Sequence, residues 1–222
     1  MKTAIRHIVA HTYKPLLERY LSRTRRYRYG AIVLDISPEV FHPGFFYSTE
    51  LLLKYLGRLP LHEKKVLELG CGSGLISIAA AQKGAHVTAS DINPVAIDFL
   101  HTNSAVNGVH LNILQSDLFA AIPEQRFDII AINPPYYKKQ AVTAKDHAWF
   151  CGEHGEYFSV LFDKLARYMH EESEVLMVLF DGCDMNMIRD FAKQNNFSMN
   201  CVQRKRNLLE TNFIYKIETT YA

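Results

Sequence analysis

Cysteine is scarce in this 222-residue chain. Cys71, Cys151, Cys183 and Cys201 stand far apart and none forms a CxxC pair, which argues against a disulfide framework and a zinc site and points to a reducing, intracellular setting. The ten histidines are scattered without metal-ligand spacing. No apolar run approaches the length that spans a bilayer. The opening "MKTAIRHIVAHTYK" is interrupted by His7, His11 and Lys14, so it does not read as a signal peptide. Internal repeats and low-complexity linkers are missing too. Acidic residues are nearly absent from the first 30 positions, which hold eight Lys or Arg and one acid (Glu18), a net +7. The other 192 residues hold 17 basic and 22 acidic residues, a net −5. A basic start on a mildly acidic body suggests contact with an anionic partner; the alternative is a solvated face whose arginine stems pack on the body.

What is present has the balance of a soluble globular protein, 48% apolar and 22% charged. Residues 1–12 and 15–24 read as two short helices broken at Pro15. "RRYRYGAIVLDISPEVF" reads as a β-hairpin around Gly30, and "STELLLKYLGRL" as a helix capped by Ser48 or Thr49. From residue 65 strands and helices alternate. The strands are 65–70, 85–90, 109–117, 127–133 and 173–180; the helices are 73–84, 93–108, 155–170 and 184–196. Residues 197–206 and 210–218 close the chain as an antiparallel pair. This order predicts an α/β, doubly wound Rossmann-like sheet of seven strands, mostly parallel with an antiparallel last strand. The chain divides into a basic helical and hairpin extension, 1–45, and a main domain, 46–222.

Four motifs carry the chemistry. "VLELGCGSG" ends a strand and opens a helix; Gly70, Gly72 and Gly74 run GxGxG, with Cys71 inside the turn. A dinucleotide fingerprint requires GxGxxG, and position 75 is leucine. Glu68, two residues before the first glycine, could attract a cationic group, so the loop suits a ligand with an amino acid end, such as S-adenosylmethionine (SAM), better than a diphosphate. Asp91 in "TASDINP" ends the second strand, where a carboxylate can take both hydroxyls of a ribose; helix capping falls more naturally to Asn93. Asp117 in "QSDLF" could accept from an adenine amino group, with Leu118, Phe119 and Ile92 sandwiching the ring. "NPPY", Asn133 to Tyr136, ends the fourth strand on the same sheet edge.

With these residues in this order, the chain resembles a class I SAM-dependent methyltransferase of the NPPY amino-methylating branch. The resemblance covers residues 30–220 and makes 46–222 the methyltransferase domain. It implies that the Asn133 side-chain oxygen and the Pro134 carbonyl accept the two N–H bonds of a planar amino group, that Tyr136 stacks on it, and that SAM lies along Glu68, Gly70, Cys71, Gly72, Gly74, Asp91, Ile92, Asp117, Leu118, Asn133 and Thr49. "VFHPGFFYSTELLL" resembles a segment of the HemK-type protein-glutamine N5 methyltransferases, with Pro43, Thr49 and Glu50 matching and Gly44 where that family has arginine. "FCGEHGEYF" matches another in part, at Gly152, Glu153 and Gly155. The helical domain of bacterial members is replaced by about 45 residues, as in shorter members. The resemblance therefore implies a cytoplasmic enzyme acting on a protein glutamine, for example in a translation factor. The alternative is an adenine or guanine amino group of RNA or DNA, gripped by the basic start with Tyr13, Tyr20, Tyr27 and Tyr29. Intact motifs disfavour a non-catalytic SAM- or partner-binding member. His147 and His154 follow NPPY and are candidates to face substrate; Trp149 and Phe150 read as packing. No metal is expected, and oligomeric state is open.

Overall fold

The computed structural model describes residues 20–207 and 210–220. The helices expected over 1–12 and 15–24 fall outside these residues as far as Arg19, and so does most of the basic start. The hairpin is formed by β1 (Arg25–Tyr29) and β2 (Ile32–Ile36), with Tyr29 opposite Ile32 and Arg25 opposite Ile36. Ile32, Leu34 and Ile36 alternate inward and join the main core. Two side-chain amides complete the outer edge of β2. Asn107 accepts from the Val33 N–H (2.9 Å) and donates to its carbonyl (2.7 Å), and Asn103 does the same for Asp35 (2.8 and 3.1 Å). An edge strand is thereby paired without another strand. On the exposed side Arg26 is tied to Asp35 at 2.9 Å.

Seven strands follow: β3 (Lys65–Leu69), β4 (His86–Asp91), β5 (Asn112–Gln115), β6 (Phe127–Ile132), β7 (Met169–Phe180), β8 (Phe197–Arg206) and β9 (Thr211–Thr219). Their order is β5-β4-β3-β6-β7-β9-β8, and β9 alone runs against the rest. The expected sheet is therefore the observed one. On one face lie the hairpin, α1 (Tyr47–Leu56), α2 (Leu75–Gln82) and α3 (Pro94–Val106); on the other lie α4 (Glu156–Leu165) and α5 (Met185–Gln194). Burial on both faces explains why "IIAI" and "VLMVL" are unbroken apolar runs.

Three local expectations need correction. The helix expected over 155–170 ends at Leu165, a 3-10 turn follows over Ala166–Tyr168, and β7 begins at Met169 rather than 173. α1 starts at Tyr47, with Phe46 at its N-cap and no side-chain capping bond; Ser48 and Thr49 are buried inside its first turn. The Thr49 hydroxyl is turned to a tertiary partner described below. The third strand spans only 112–115 rather than 109–117, because Gly108 (φ +64°) ends α3 and Val109 donates back to Ser104 at 3.1 Å. The cap of α3 is as expected: Asn93 accepts from the Val95 N–H at 3.0 Å, with Pro94 at the first helical position.

Candidate active site

The site is built where β3, β4, β5 and β6 end side by side. After β3 the chain turns at Gly70, whose N–H and that of Cys71 both donate to the Ser90 carbonyl of β4, at 2.8 and 2.9 Å. Gly70 (φ +72°) takes a backbone conformation that L side chains rarely adopt. Gly74 (φ +83°) caps α2, and a Cβ there would run into Leu100.

Glu68 is buried at the end of β3. Its Oε2 accepts from the Ser77 N–H (2.8 Å) and the Ser77 hydroxyl, while Oε1 takes no hydrogen bond from the described residues. Burial pushes its pKa up to about 8, against the pull of the two Ser77 bonds. Asp91 ends β4; Oδ2 accepts from Gly72 N–H (2.8 Å) and Oδ1 from Asn93 N–H (2.9 Å). Each oxygen keeps a lone pair. Burial also raises this carboxyl's pKa, and the backbone donors hold it back.

Asp117 lies two residues beyond β5, exposed; its carbonyl accepts from the Ala120 N–H (3.0 Å), and no described residue donates to its carboxylate. Leu118 beside it has φ +48°, a strained value for a leucine. Ser116 holds it there by donating to the Leu118 carbonyl (2.8 Å) and accepting from the Ala121 N–H (2.9 Å).

At the end of β6, Asn133 Nδ2 donates to the Thr49 hydroxyl at 3.3 Å, and the Tyr136 hydroxyl donates to Asn133 Oδ1. The Tyr136 ring packs edge-on against Phe180 (5.0 Å, 67°), and burial drives its phenol pKa up. No N–H or O–H of the described residues donates to the Pro134 carbonyl.

Segment 137–152 folds back over these strand ends. The N–H groups of Tyr136 and Tyr137 both donate to the Trp149 carbonyl (3.1 and 2.9 Å), and Cys151 N–H donates to the Tyr137 carbonyl (2.9 Å). Thr143 and Asp146 form a capping box for a 3-10 turn over Ala144–Ala148. Trp149 packs on Phe41 and Phe46, which stack on each other at 4.3 Å. Trp149 is thus packing, as the sequence suggested.

A single cavity of about 360 Å³ runs under this cover. Thr49, Glu68, Gly70, Cys71, Gly72, Asp91, Ile92, Asp117, Leu118, Asn133, Pro134 and Tyr136 all line it. Gly74 does not; it packs behind the wall against Leu100. His147 lines the cavity, whereas His154 does not; its backbone N–H donates to Glu156 (3.0 Å), which does. Sequence reasoning missed Glu39, Phe41 and Tyr157 in the wall. Tyr157 lies near enough to Asp91 and Asp117 that their charges add to the burial raising its pKa. Among the described residues no group of three His, Cys, Asp or Glu could hold a metal ion, and no helix is long and apolar enough to cross a membrane.

Residues 36–152 match the profile of the Methyltransferase small domain family. The chain belongs to that family. A Methanocaldococcus jannaschii protein provisionally named a protein N5-glutamine methyltransferase is 43% identical over 106 residues, 47% of this chain and 51% of that one. The E. cuniculi Mtq2–Trm112 complex, titled as methylating the translation termination factor eRF1, matches with TM-score 0.61 at 21% identity, covering 82% of this chain and 99% of the other. The T. thermophilus 16S rRNA N2 G1207 methyltransferase with AdoMet and guanosine gives TM-score 0.60 at 21% identity, covering 87% and 50%. These two structures speak to the fold: the sheet and its antiparallel strand are those of methyltransferases. The chain spans between 30% and 51% of the first curated relatives it matches.

Proposed function

We propose that this methyltransferase small-domain protein transfers a methyl group from SAM to the amide nitrogen of a protein glutamine. The observation that carries the reading is the placement of Asn133 and the unused Pro134 carbonyl in the same cavity as Glu68 and Asp91. The residues fit SAM. Glu68 has a carboxyl oxygen that nothing described bonds, facing the cavity, and would hold the ammonium of its amino acid end. Asp91 would take the ribose hydroxyls on its two remaining lone pairs. Asp117 would accept the adenine amino group, with Ile92 and Leu118 against the ring and Tyr157 nearby. The volume of about 360 Å³ lies in the range of roughly 300–1,000 Å³ typical of small-ligand sites.

When bound, SAM supplies an electrophilic methyl carbon on a sulfonium sulfur. The chain's own task is to make a poor nucleophile ready. An amide nitrogen is planar and its lone pair is delocalised. Asn133 Oδ1 and the Pro134 carbonyl accept its two N–H bonds, which orients the nitrogen and favours localisation of the lone pair. Pro134 and Pro135 stiffen the loop and bring no competing N–H. The covering segment walls one side of the cavity. The four free cysteines fit a cytoplasmic setting.

The glutamine acceptor is supported by the relative from M. jannaschii and by the matches at Pro43, Thr49 and Glu50. A second reading, an exocyclic amine of RNA or DNA, is favoured by exposed Tyr137 and Lys139 beside NPPY and by the basic first 30 residues. It is weakened where Arg26 and Lys138 are already committed to Asp35 and Asp184. The experiment transfers tritiated methyl from SAM into cell lysate and then digests with protease or RNase. Label lost to protease and kept through RNase is the expected result; the reverse replaces glutamine with a nucleic-acid base.

A further inference from the structure

An asparagine amide presents an oxygen or an N–H2 depending on a half-turn of χ2, and only the oxygen can accept an acceptor's N–H. Something must choose. Thr49 and Tyr136 flank Asn133, one from the first turn of α1 and one from the NPPY loop. Hydroxyls can donate or accept, so by themselves they would tolerate either orientation. The phenol removes the ambiguity. It is a stronger donor and a weaker acceptor than an aliphatic hydroxyl, so Tyr136 gives its proton to Asn133 Oδ1 and the Thr49 hydroxyl is left to accept from the amide N–H. Asn133 Nδ2 then points at the Thr49 hydroxyl, 3.3 Å away. The chain of donors runs Tyr136, Asn133, Thr49, and Thr49 is buried at its end. Linked bonds of this kind reinforce one another away from bulk water.

Resting on the function proposed above, we propose that Thr49 and Tyr136 are positioning residues that lock the Asn133 amide in the one orientation leaving an oxygen lone pair for the acceptor. A carbonyl oxygen has two lone pairs; Tyr136 uses one and the acceptor N–H takes the other. In the flipped amide, Nδ2 would meet the acceptor donor to donor. Tyr136 acts through its hydroxyl in this assignment, and Thr49 serves Asn133 instead of the methyl donor. The relay also explains why Thr49, a hydroxyl residue at the start of α1, does not cap it.

The test compares Thr49→Val, Tyr136→Phe, Thr49→Ser and Asn133→Ala. Turnover is read as tritiated methyl from SAM incorporated into lysate, and SAM affinity by calorimetry. A lost hydrogen bond of about 1–1.5 kcal/mol lets the amide flip and lowers kcat about tenfold in Thr49→Val and Tyr136→Phe, with the Kd for SAM within about twofold. Thr49→Ser keeps a hydroxyl and recovers to within about threefold. A readout independent of turnover is the Asn133 side-chain N–H2 signal in ¹⁵N-labelled protein without SAM, assigned by its loss in Asn133→Ala. It is protected from exchange in the parent and loses protection in both hydroxyl-free variants. Tyr136→Phe carries the test alone should Thr49→Val fail to fold. Full turnover and an unchanged N–H2 signal in the hydroxyl-free variants, with Asn133→Ala inactive, overturn the relay and leave the proposed function standing. An active Asn133→Ala overturns the function itself.

Discussion

Along the ends of β3, β4 and β5 the cavity is walled by local turns. Gly70, Cys71 and Gly72 follow Glu68 directly, and Leu118 follows Asp117. At the end of β6 the wall is assembled from distant pieces: Thr49 reaches Asn133 across 84 residues, and Phe41 and Phe46 meet Trp149 from a segment about a hundred positions away. The first half fixes backbone N–H groups and carboxylates, a shape suited to one invariant ligand. The second depends on side chains and a folded-over segment, so it can be altered without disturbing the sheet. On the proposed function, the methyl-donor and acceptor ends of one cavity are then separable.

The sharpest break between the halves is expected from Asn133→Ala. Turnover should fall about 100- to 1,000-fold, the size of losing one transition-state hydrogen-bonding group, while SAM affinity stays within about threefold by calorimetry. A matching loss of both would join the two ends into one. Asp91→Ala should do the opposite, weakening SAM about 10- to 100-fold through two charge-assisted bonds, with kcat at saturating SAM nearer to normal. Equal SAM affinity would remove Asp91 from the donor end.

A smaller effect concerns Glu68. Its folded pKa, about 8, lies above the ordinary 4.5, so the unliganded carboxyl is mostly protonated at pH 7. For a raised carboxyl, the stability it contributes is fully present below 4.5 and is lost as pH rises through about 8. A ligand ammonium favours the carboxylate and releases that proton. SAM binding measured at pH 7 in buffers of different ionisation heat should therefore release a large fraction of a proton in the parent, and that much less in Glu68→Gln. Affinity should climb as pH rises toward 8 and fall again where the ligand's own ammonium loses its proton. Identical proton counts in the two proteins would mean the ammonium lies elsewhere.

The same contrast governs what could be read beforehand. Gly70, Asp91, Asn93 and Asp117 are legible because each signal sits within a few residues of a strand end, where turn and cap chemistry act locally. Gly74 is legible as a turn residue, but its distance from the wall depends on Leu100, which only packing reveals. Thr49 misleads for a physical reason: capping is the best local use of a hydroxyl before an apolar helix, and a partner 84 residues on outcompetes it. Asn103 and Asn107 look like polar positions on α3, and only the docked hairpin gives them work. Tyr136 is legible as part of NPPY, yet its hydroxyl's engagement with Asn133 is a tertiary fact.

The most direct test is a crystal structure of the protein with S-adenosylhomocysteine. The account predicts ligand density along the four strand ends, with an amino group at Glu68, ribose hydroxyls at Asp91, adenine beside Asp117 and the sulfur turned toward Asn133. Density elsewhere on the molecule, or a sulfur facing away from Asn133, would contradict it.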